Sequence, residues 1–523
     1  MIPLLSAEDS RALDKEAQDE WGFNVFALIE AAGRLSAEVF VRRFGELFKN
    51  NPKVSVFSGT GNNGADAMVM LRSWILSGLA EAANCALVLS RLPKSAEAGA
   101  WTETLMSLEK MKVPILVWND GNSNIVNNSD ILIDGIAGTG VSGPLRDAAK
   151  EMVNAINSQK TKKPLVVSVD IPSGNSDDWK PGMPIVEADV TLAIEPQKRC
   201  IYNPAARPYA GIILPVNGIF PREIIARYFD RCREGKRGAE LLDWESASSR
   251  ISKVKASAHK YERGCAEIRA GSTGTTGAAL IAARGAQTAG AGLIRLVADD
   301  DIYHILASGS GGIMVSPVSG EAKDFEGKFT SDAILLGPGW GRSENRAKVL
   351  EKALQKEKTG TPLILDADAI ELSKNAKFNG NAILTPHPGE LSRFSGIEKE
   401  ALLCRPAPAL LKLSMEINAV ILFKSHVICI AAPDGRLGII DGMAANLASG
   451  GSGDLLAGIC AGIAARTARE GGFDAYNCAA AAAGLLIASA KADNLRKRFT
   501  DPLELAGKAA ELAGVAWLDG MDL

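Results

Sequence analysis

The chain has 523 residues, 46% hydrophobic and 23% charged, with a formal net charge of −3. That length exceeds one ordinary core and predicts two or three domains, while the balanced charge argues against a nucleic-acid partner. The eight cysteines lack paired spacing, no basic leader precedes an apolar run, and apolar stretches such as 479–490 are too short for a bilayer; a cytoplasmic chain with free thiols and no membrane or zinc partner is expected.

Residues 8–48 read as two helices, with Ile29, Ala32 and Leu35 on one apolar stripe. A buried strand over 53–58 runs into GTGNNGAD (59–66), and a helix is expected over 67–76. Strand, glycine turn and helix form a βα unit that places anions at a helix N-terminus. The spacing is not that of an ordinary NAD fingerprint. Asn62 and Asn63 either orient a ligand or brace the turn.

Further strands are expected at 86–89 and 114–118. DILIDGIAGTG (130–140) and VDIPSG (169–174) each read as a strand that delivers an acid at its carboxyl end. Asp134, Asp170 and Ser173 thus share one edge, where ligands bind in open α/β sheets. Their hard oxygens suit an alkali or alkaline-earth ion. Each acid alone is as readily a cap.

These motifs, with IEAAG (29–33), resemble the NAD(P)H-hydrate epimerases. Such enzymes interconvert the R and S forms of NADHX and NADPHX, the hydrates made when water adds to the reduced nicotinamide ring. The resemblance implies a Rossmann-like domain and Asp170 as acid/base. It implies potassium at Asn63, Asp134 and Ser173. It also implies a substrate site of Asn62, Asn63, Gly64, Ala65, Asp66, Gly138, Thr139, Gly140, Val141, Ser142, Gly143, Pro144 and Asp170. Ala65 and Ala67 stand where the family pattern has glycine. A Cβ there conflicts with a positive φ or a close backbone approach.

Residues 227–250 are charged and irregular, and a domain boundary is expected near 235, giving domains 1–235 and 236–523. Beyond it the α/β pattern restarts. GSTGTTGAA (271–279), AGAGL (289–293), LGPGWG (336–341), LDADAIEL (365–372) and TPHPGE (385–390) follow in order. A helix is expected over 278–289, and a hairpin of 419–431 with 438–440. His387 alone is more often structural, Glu390 a helix-start charge, and one of Asp366 and Asp368 a cap.

The last motif, NLASGGSGD (446–454), opens an apolar run of helical spacing. Glycines Gly450, Gly451 and Gly453, with Ser452, let backbone N–H groups approach an anion. Asp454 beside them suits removal of a proton from an attacking hydroxyl, or is simply an N-cap.

Together these second-half motifs resemble the ADP- or ATP-dependent NAD(P)HX dehydratases of the ribokinase-like group. The resemblance implies Asp454 as the catalytic base. It implies NAD(P)HX contacts at Gly277, Ala278, Ala279, Gly339, His387 and Asp454. Nucleotide contacts are implied at Lys424, Ser425, His426, Val427, Ile428, Gly450, Gly451, Ser452 and Gly453. ADP, with ATP as the alternative, is the implied nucleotide, with Mg2+ as its ion and a homo-oligomer as the assembly. The fold class expected is α/β: a Rossmann-like three-layer domain, then a ribokinase-like α/β domain. The function expected is epimerisation followed by nucleotide-dependent dehydration. The alternatives are a dehydratase with a non-catalytic first domain, or a kinase of a small hydroxyl compound.

Overall fold

The computed structural model describes residues 2–94, 98–119, 124–141, 143–158, 164–320, 330–492 and 497–519. The chain divides into two compact units, Pro3–Ala239 and Glu240–Leu523 with Met1–Ile2. Both are α/β with mainly parallel sheets, as the alternation of apolar runs and helical stripes requires. Among the described residues no helix is long and apolar enough to cross a membrane.

The first unit holds a seven-stranded parallel sheet. Its spatial order is Ile115–Val117, Cys85–Leu89, Val54–Ser58, Ile131–Gly135, Leu165–Val169, Val190–Ile194, Ile212–Val216. The order reverses between Val54–Ser58 and Ile131–Gly135, and such a switch point opens a crevice beyond the carboxyl ends. Both strands are wholly buried, which is why they read as continuous apolar runs.

The helix expected over 67–76 begins earlier, at Asn62, and runs to Leu76. Gly61 is extended (φ −98°, ψ −177°) and leaves the amides of Asn62 and Asn63 on the first turn. Nothing in 62–66 breaks a helix, so the glycine turn is shorter than the motif suggests. Ala65 and Ala67 are therefore helical and fully buried, and neither has a positive φ. The conflict anticipated for a Cβ does not arise at these φ values. The Ala67 methyl packs where Gly135 leaves room, since a Cβ on Gly135 would lie 2.5 Å from it.

The stretch 227–250 is not irregular. Helix Arg222–Glu234 buries Ile224, Phe229 and Cys232, and a second helix, Trp244–Ser248, is closed by an Asp243–Ser246 capping box. The charged residues mask a narrow apolar stripe.

The second unit's sheet runs Met314–Pro317, Leu293–Ala298, Cys265–Arg269, Ala333–Leu336, Leu363–Leu365, Ala382–Leu384, Val420–Phe423 in parallel. Val427–Ala431 and Leu437–Asp441 continue it antiparallel. The single strand expected over 419–431 is thus two strands joined at 424–426. Lys424 leaves the ladder to reach Asp366, and Ser425 turns the chain by bonding Val427.

Helices Thr276–Thr288 and Ser452–Arg469 pack backbone to backbone on this sheet. A Cβ on Gly285 would lie 2.5 Å from the Leu455 carbonyl oxygen, and one on Gly458 or Gly462 would overlap the carbonyls of Ala282 or Ala286. Alanine in place of glycine ordinarily stabilises a helix by about 1 kcal/mol. At Gly458 the clash with rigid backbone outweighs that gain. Gly458→Ala is expected to destabilise the unit by roughly 1–3 kcal/mol, read as a lower unfolding midpoint. Gly507→Ala, on helix Pro502–Trp517 with no atom near its missing Cβ, is expected to raise the midpoint.

Candidate active sites

In the first unit the turns after Val54–Ser58 and Ile131–Gly135 touch through their backbones. A Cβ on Gly59 would overlap the Ile136 carbonyl, and Gly59 N–H donates to the Gly135 carbonyl at 3.1 Å. Beyond this contact lies a cavity of about 460 Å³. Of the residues expected there, Asn62, Asn63, Gly64, Asp66, Gly138, Thr139, Gly140, Val141 and Asp170 line it. Ala65 lies behind the wall, fully buried, and Gly143 and Pro144 are exposed outside it. Ser142 lies outside the described residues.

Asp170 closes strand Leu165–Val169 with φ +66°, and this left-handed step turns the chain at the strand end. Its Oδ1 is 2.6 Å from Lys198 Nζ, and both side chains are nearly buried. Lys198 is set by a short parallel pairing, Leu4 with Gln197 and Leu5 with Lys198, and its ammonium also donates to the Ile194 carbonyl at 3.1 Å. Sequence reasoning missed Lys198, because nothing local marks it. It missed Asp14 too, on helix Ala7–Trp21, which also lines the cavity. Burial raises the Asp14 carboxyl, Lys198 opposes this, and Asp170 adds to it. Asp66 lies well above the usual carboxylate range, first through burial and then through Asp170.

Asp134 stands beneath the turns, fully buried. Its carboxylate accepts from Ser168 Oγ at 2.7 Å, Ser173 N–H at 2.9 Å, Ser173 Oγ, and Ile136 N–H at 3.2 Å. Burial raises it, and the bonds from Ser173 and Ser168 hold it down. Asn63 lines the cavity, where a Cβ on Gly138 would be 3.0 Å from its Cβ; Asp134 and Ser173 are not part of that lining. Both polar atoms of the Asn63 side chain are buried without a partner among the described residues. Among these residues no group of three or more His, Cys, Asp or Glu is arranged to hold a metal ion.

In the second unit, Asp366 follows strand Leu363–Leu365 and is 2% exposed. It accepts from Thr385 Oγ1 at 2.7 Å and pairs with Lys424 Nζ at 2.5 Å. Burial works against the Lys424 ammonium, but Asp366, Glu390 and Asp454 together raise it. Lys424 reaches over the 450–453 turn, since a Cβ on Gly453 would stand 3.3 Å from its Nζ. Gly451, at φ +93°, starts helix Ser452–Arg469, so Asp454 sits in the first turn. Burial first, then Asp366, lifts its carboxyl to about 6, against the pull of Lys424.

His387 caps helix Pro388–Ser395. Its Nδ1 accepts from Gly389 N–H at 3.0 Å and Glu390 N–H at 3.3 Å, while Glu390 accepts from His387 N–H at 2.8 Å. Its proton therefore sits on Nε2, and its side chain is half exposed. Asp368 accepts from Gly341 N–H at 2.8 Å, so Asp366 alone of that pair faces Lys424.

Gly339 (φ +57°) lies against the 271–279 turn. A Cβ there would be 2.9 Å from Thr275 Cβ and 3.0 Å from Ala278 Cβ, and Thr275 Oγ1 donates to its carbonyl at 2.7 Å. Gly277 is open, whereas Ala279 is buried beneath Gly271. Ser425 and His426 form the turn after Lys424, and Val427 and Ile428 are buried strand residues.

Two family models match. One, described as NAD(P)H-hydrate dehydratase, covers residues 266–510; the other, YjeF-related protein N-terminus, covers 25–200. The bifunctional NAD(P)H-hydrate repair enzyme Nnr of Moorella thermoacetica is 28% identical, over 96% of this chain and 94% of its own length. Its namesake from Methanopyrus kandleri is 30% identical over 87% of each chain. A crystal structure of the ADP/ATP-dependent NAD(P)H-hydrate dehydratase from Bacillus subtilis is 25% identical, over 53% of this chain and 98% of that one, with a TM-score of 0.47. Near-full-length identity at this level, with both family models matched in order, means that the chain belongs to the bifunctional NAD(P)H-hydrate repair enzymes.

Proposed function

We propose that this chain repairs hydrated NADH and NADPH in two steps, R/S epimerisation in the first unit and nucleotide-dependent dehydration in the second. The observation that carries the reading is Asp454. A carboxyl lifted to about 6 stands at a turn of bare glycine N–H groups, with Lys424 above it. That is the equipment for moving a phosphoryl group onto a hydroxyl.

The hydrate's ring hydroxyl is a poor leaving group. Asp454 takes its proton as the oxygen attacks the terminal phosphoryl of ADP, with AMP as the other product. The N–H groups of 450–453 and the Lys424 ammonium stabilise the charge on the group in flight. Phosphate then leaves, and loss of a ring proton restores the dihydronicotinamide. His387, Gly339 and the helix start at 277–278 lie at carboxyl ends of the same sheet and form the ring's side of the site. Three carboxyls act on one ammonium here, an excess of negative charge that fits a magnesium ion carried by the nucleotide.

In the first unit Asp170 is the acid/base, at a cavity large enough for the nicotinamide riboside end. Asn63, Asp134 and Ser173 fit potassium, because Asn63 Oδ1 is an orphaned oxygen and the buried Asp134 charge has no cation beside it among the described residues. The ion supplies positive charge at that floor. Eight buried thiols support a reducing compartment, the cytoplasm.

The test follows NADH absorbance in a mixture of R- and S-NADHX with magnesium, potassium and ADP, then ATP. Complete recovery, faster than unaided epimerisation, is expected. A stable phosphorylated hydrate without NADH would replace the dehydratase with a kinase. Asp170→Asn is expected to stop recovery at the S fraction; full recovery would make the first unit a non-catalytic module. Asp454→Asn is expected to lower the dehydration rate about 10³-fold. As a base Asp454 acts ionised, so the wild-type rate is expected to rise as pH increases through about 6. A flat profile from pH 5 to about 8 would remove it from that role.

A further inference from the structure

We propose that Asp66 is a second catalytic group of the first unit's site, the acid that works against Asp170 as the base. The proposal rests on the epimerase reading above.

Asp66 lines the cavity with Asp170, yet is 92% buried by its 8% exposure, and its Oδ1 has no partner among the described residues. It is the fifth residue of helix Asn62–Leu76, past the first turn, so the free N–H groups of the helix start do not serve it. The groups that face it come from three other elements. Helix Ala7–Trp21 contributes Asp14 and Arg11, and Arg11 donates to the Thr139 carbonyl. The strand end contributes Asp170. The 194–198 stretch contributes Lys198, committed to Asp170 at 2.6 Å, and Glu195, whose Oε1 accepts from the N–H groups of Gly218, Ile219 and Phe220. One ammonium thus serves three carboxyls. Asp66, the more deeply buried of the two that Lys198 does not pair with, is pushed well toward its protonated form.

A proton held there has a use. Water added across the ring's enamine places the hydroxyl on the carbon bonded to the ring nitrogen. Opening and reclosing its bond to nitrogen inverts that carbon. Asp170 takes the hydroxyl proton as the C=O bond forms and the C–N bond breaks, and Asp66 gives its proton to the departing nitrogen. Rotation of the aldehyde presents its other face, and the reverse transfers close the ring with both protons returned. No oxidant or co-reactant enters. Two carboxyls, one ion-paired and one neutral, are the pair that this exchange needs.

The experiment measures R-to-S conversion of NADHX by the full-length protein without nucleotide, comparing wild type, Asp66→Asn and Asp170→Asn across pH. Asp66→Asn is expected to lower kcat about 100-fold with KM within about threefold, and to abolish the fall in rate at high pH that loss of the Asp66 proton produces. Its unfolding midpoint is expected to hold or rise, since a crowded carboxyl is removed. An Asp66→Asn enzyme with kcat within about threefold of wild type overturns the proposal and leaves the epimerase reading standing. So does a variant that loses kcat, KM and thermal stability together, which assigns Asp66 to structure. Wild type no faster than spontaneous conversion overturns the epimerase reading, and the proposal with it.

Discussion

The second site depends on one steric fact, that helices Thr276–Thr288 and Ser452–Arg469 touch through their backbones. Gly285, Gly458 and Gly462 permit that approach, and a Cβ at any of them would meet a carbonyl or backbone atom of the other helix. The contact anchors the start of the later helix. Gly451 turns left-handed against Ile281 and Pro502, and Asp454 follows one turn from the sheet edge. The first unit uses the same device on a smaller scale. Gly59 meets the Ile136 carbonyl, Gly33 meets Val69 and the Asp66 carbonyl, and Gly135 meets Ala67. Small residues therefore set where the polar ones stand, and interiors this dense transmit a shift of an ångström directly to the site.

Electrostatically the two units share a plan. A strand-end carboxylate is paired with a buried lysine, Asp170 with Lys198 and Asp366 with Lys424. Each lysine is spent on that pair, so the next acid along is left under-compensated. In the first unit that acid is Asp66, in the second Asp454. Burial alone would raise any carboxyl. Each of these two also stands beside a carboxylate that already pairs with the nearby lysine, and Asp14 in the first unit shares that treatment. Asp134 shows the opposite treatment, with four donors on its two oxygens. A proton carrier and an acid held toward its charged form thus differ by the supply of donors, not by depth.

Much of this was legible in the sequence. Continuous apolar runs ending in Gly, Asp or Asn gave both parallel sheets and the edge that bears the sites, because fully buried strands cannot hide their composition. What stayed hidden was whatever depends on distant pairing. Lys198 is placed by Leu5, almost two hundred residues earlier, and Asp14 by the packing of a helix that shows no motif. Helix starts were misread where glycine implied a longer turn, as at Asn62. The charged stretch 227–250 hid the end of helix Arg222–Glu234 because charged residues separate the few that pack inward there, Tyr228, Phe229 and Cys232. Ala65 and Ala67, which looked like obstacles, are accommodated because the helix begins before them.

Backbone strain completes the arrangement. Asp170 and Ala367 are non-glycine residues in the left-handed region, at φ +66° and +46°, and each lies at or just after the acid that ends its strand. A left-handed L-residue costs roughly 1–2 kcal/mol. In both places the step stops the strand and turns the chain at the level of its terminal carboxylate. An extended residue there would carry the backbone onward along the strand direction. Asp tolerates the region better than most side chains, so at residue 170 the strained position and the reactive group coincide. At residue 367 they are separated by one position: alanine takes the strain while Asp366 pairs with Lys424. The ion pair at each site holds the acid that the strained step delivers, so neither the turn nor the pair is independent of the other.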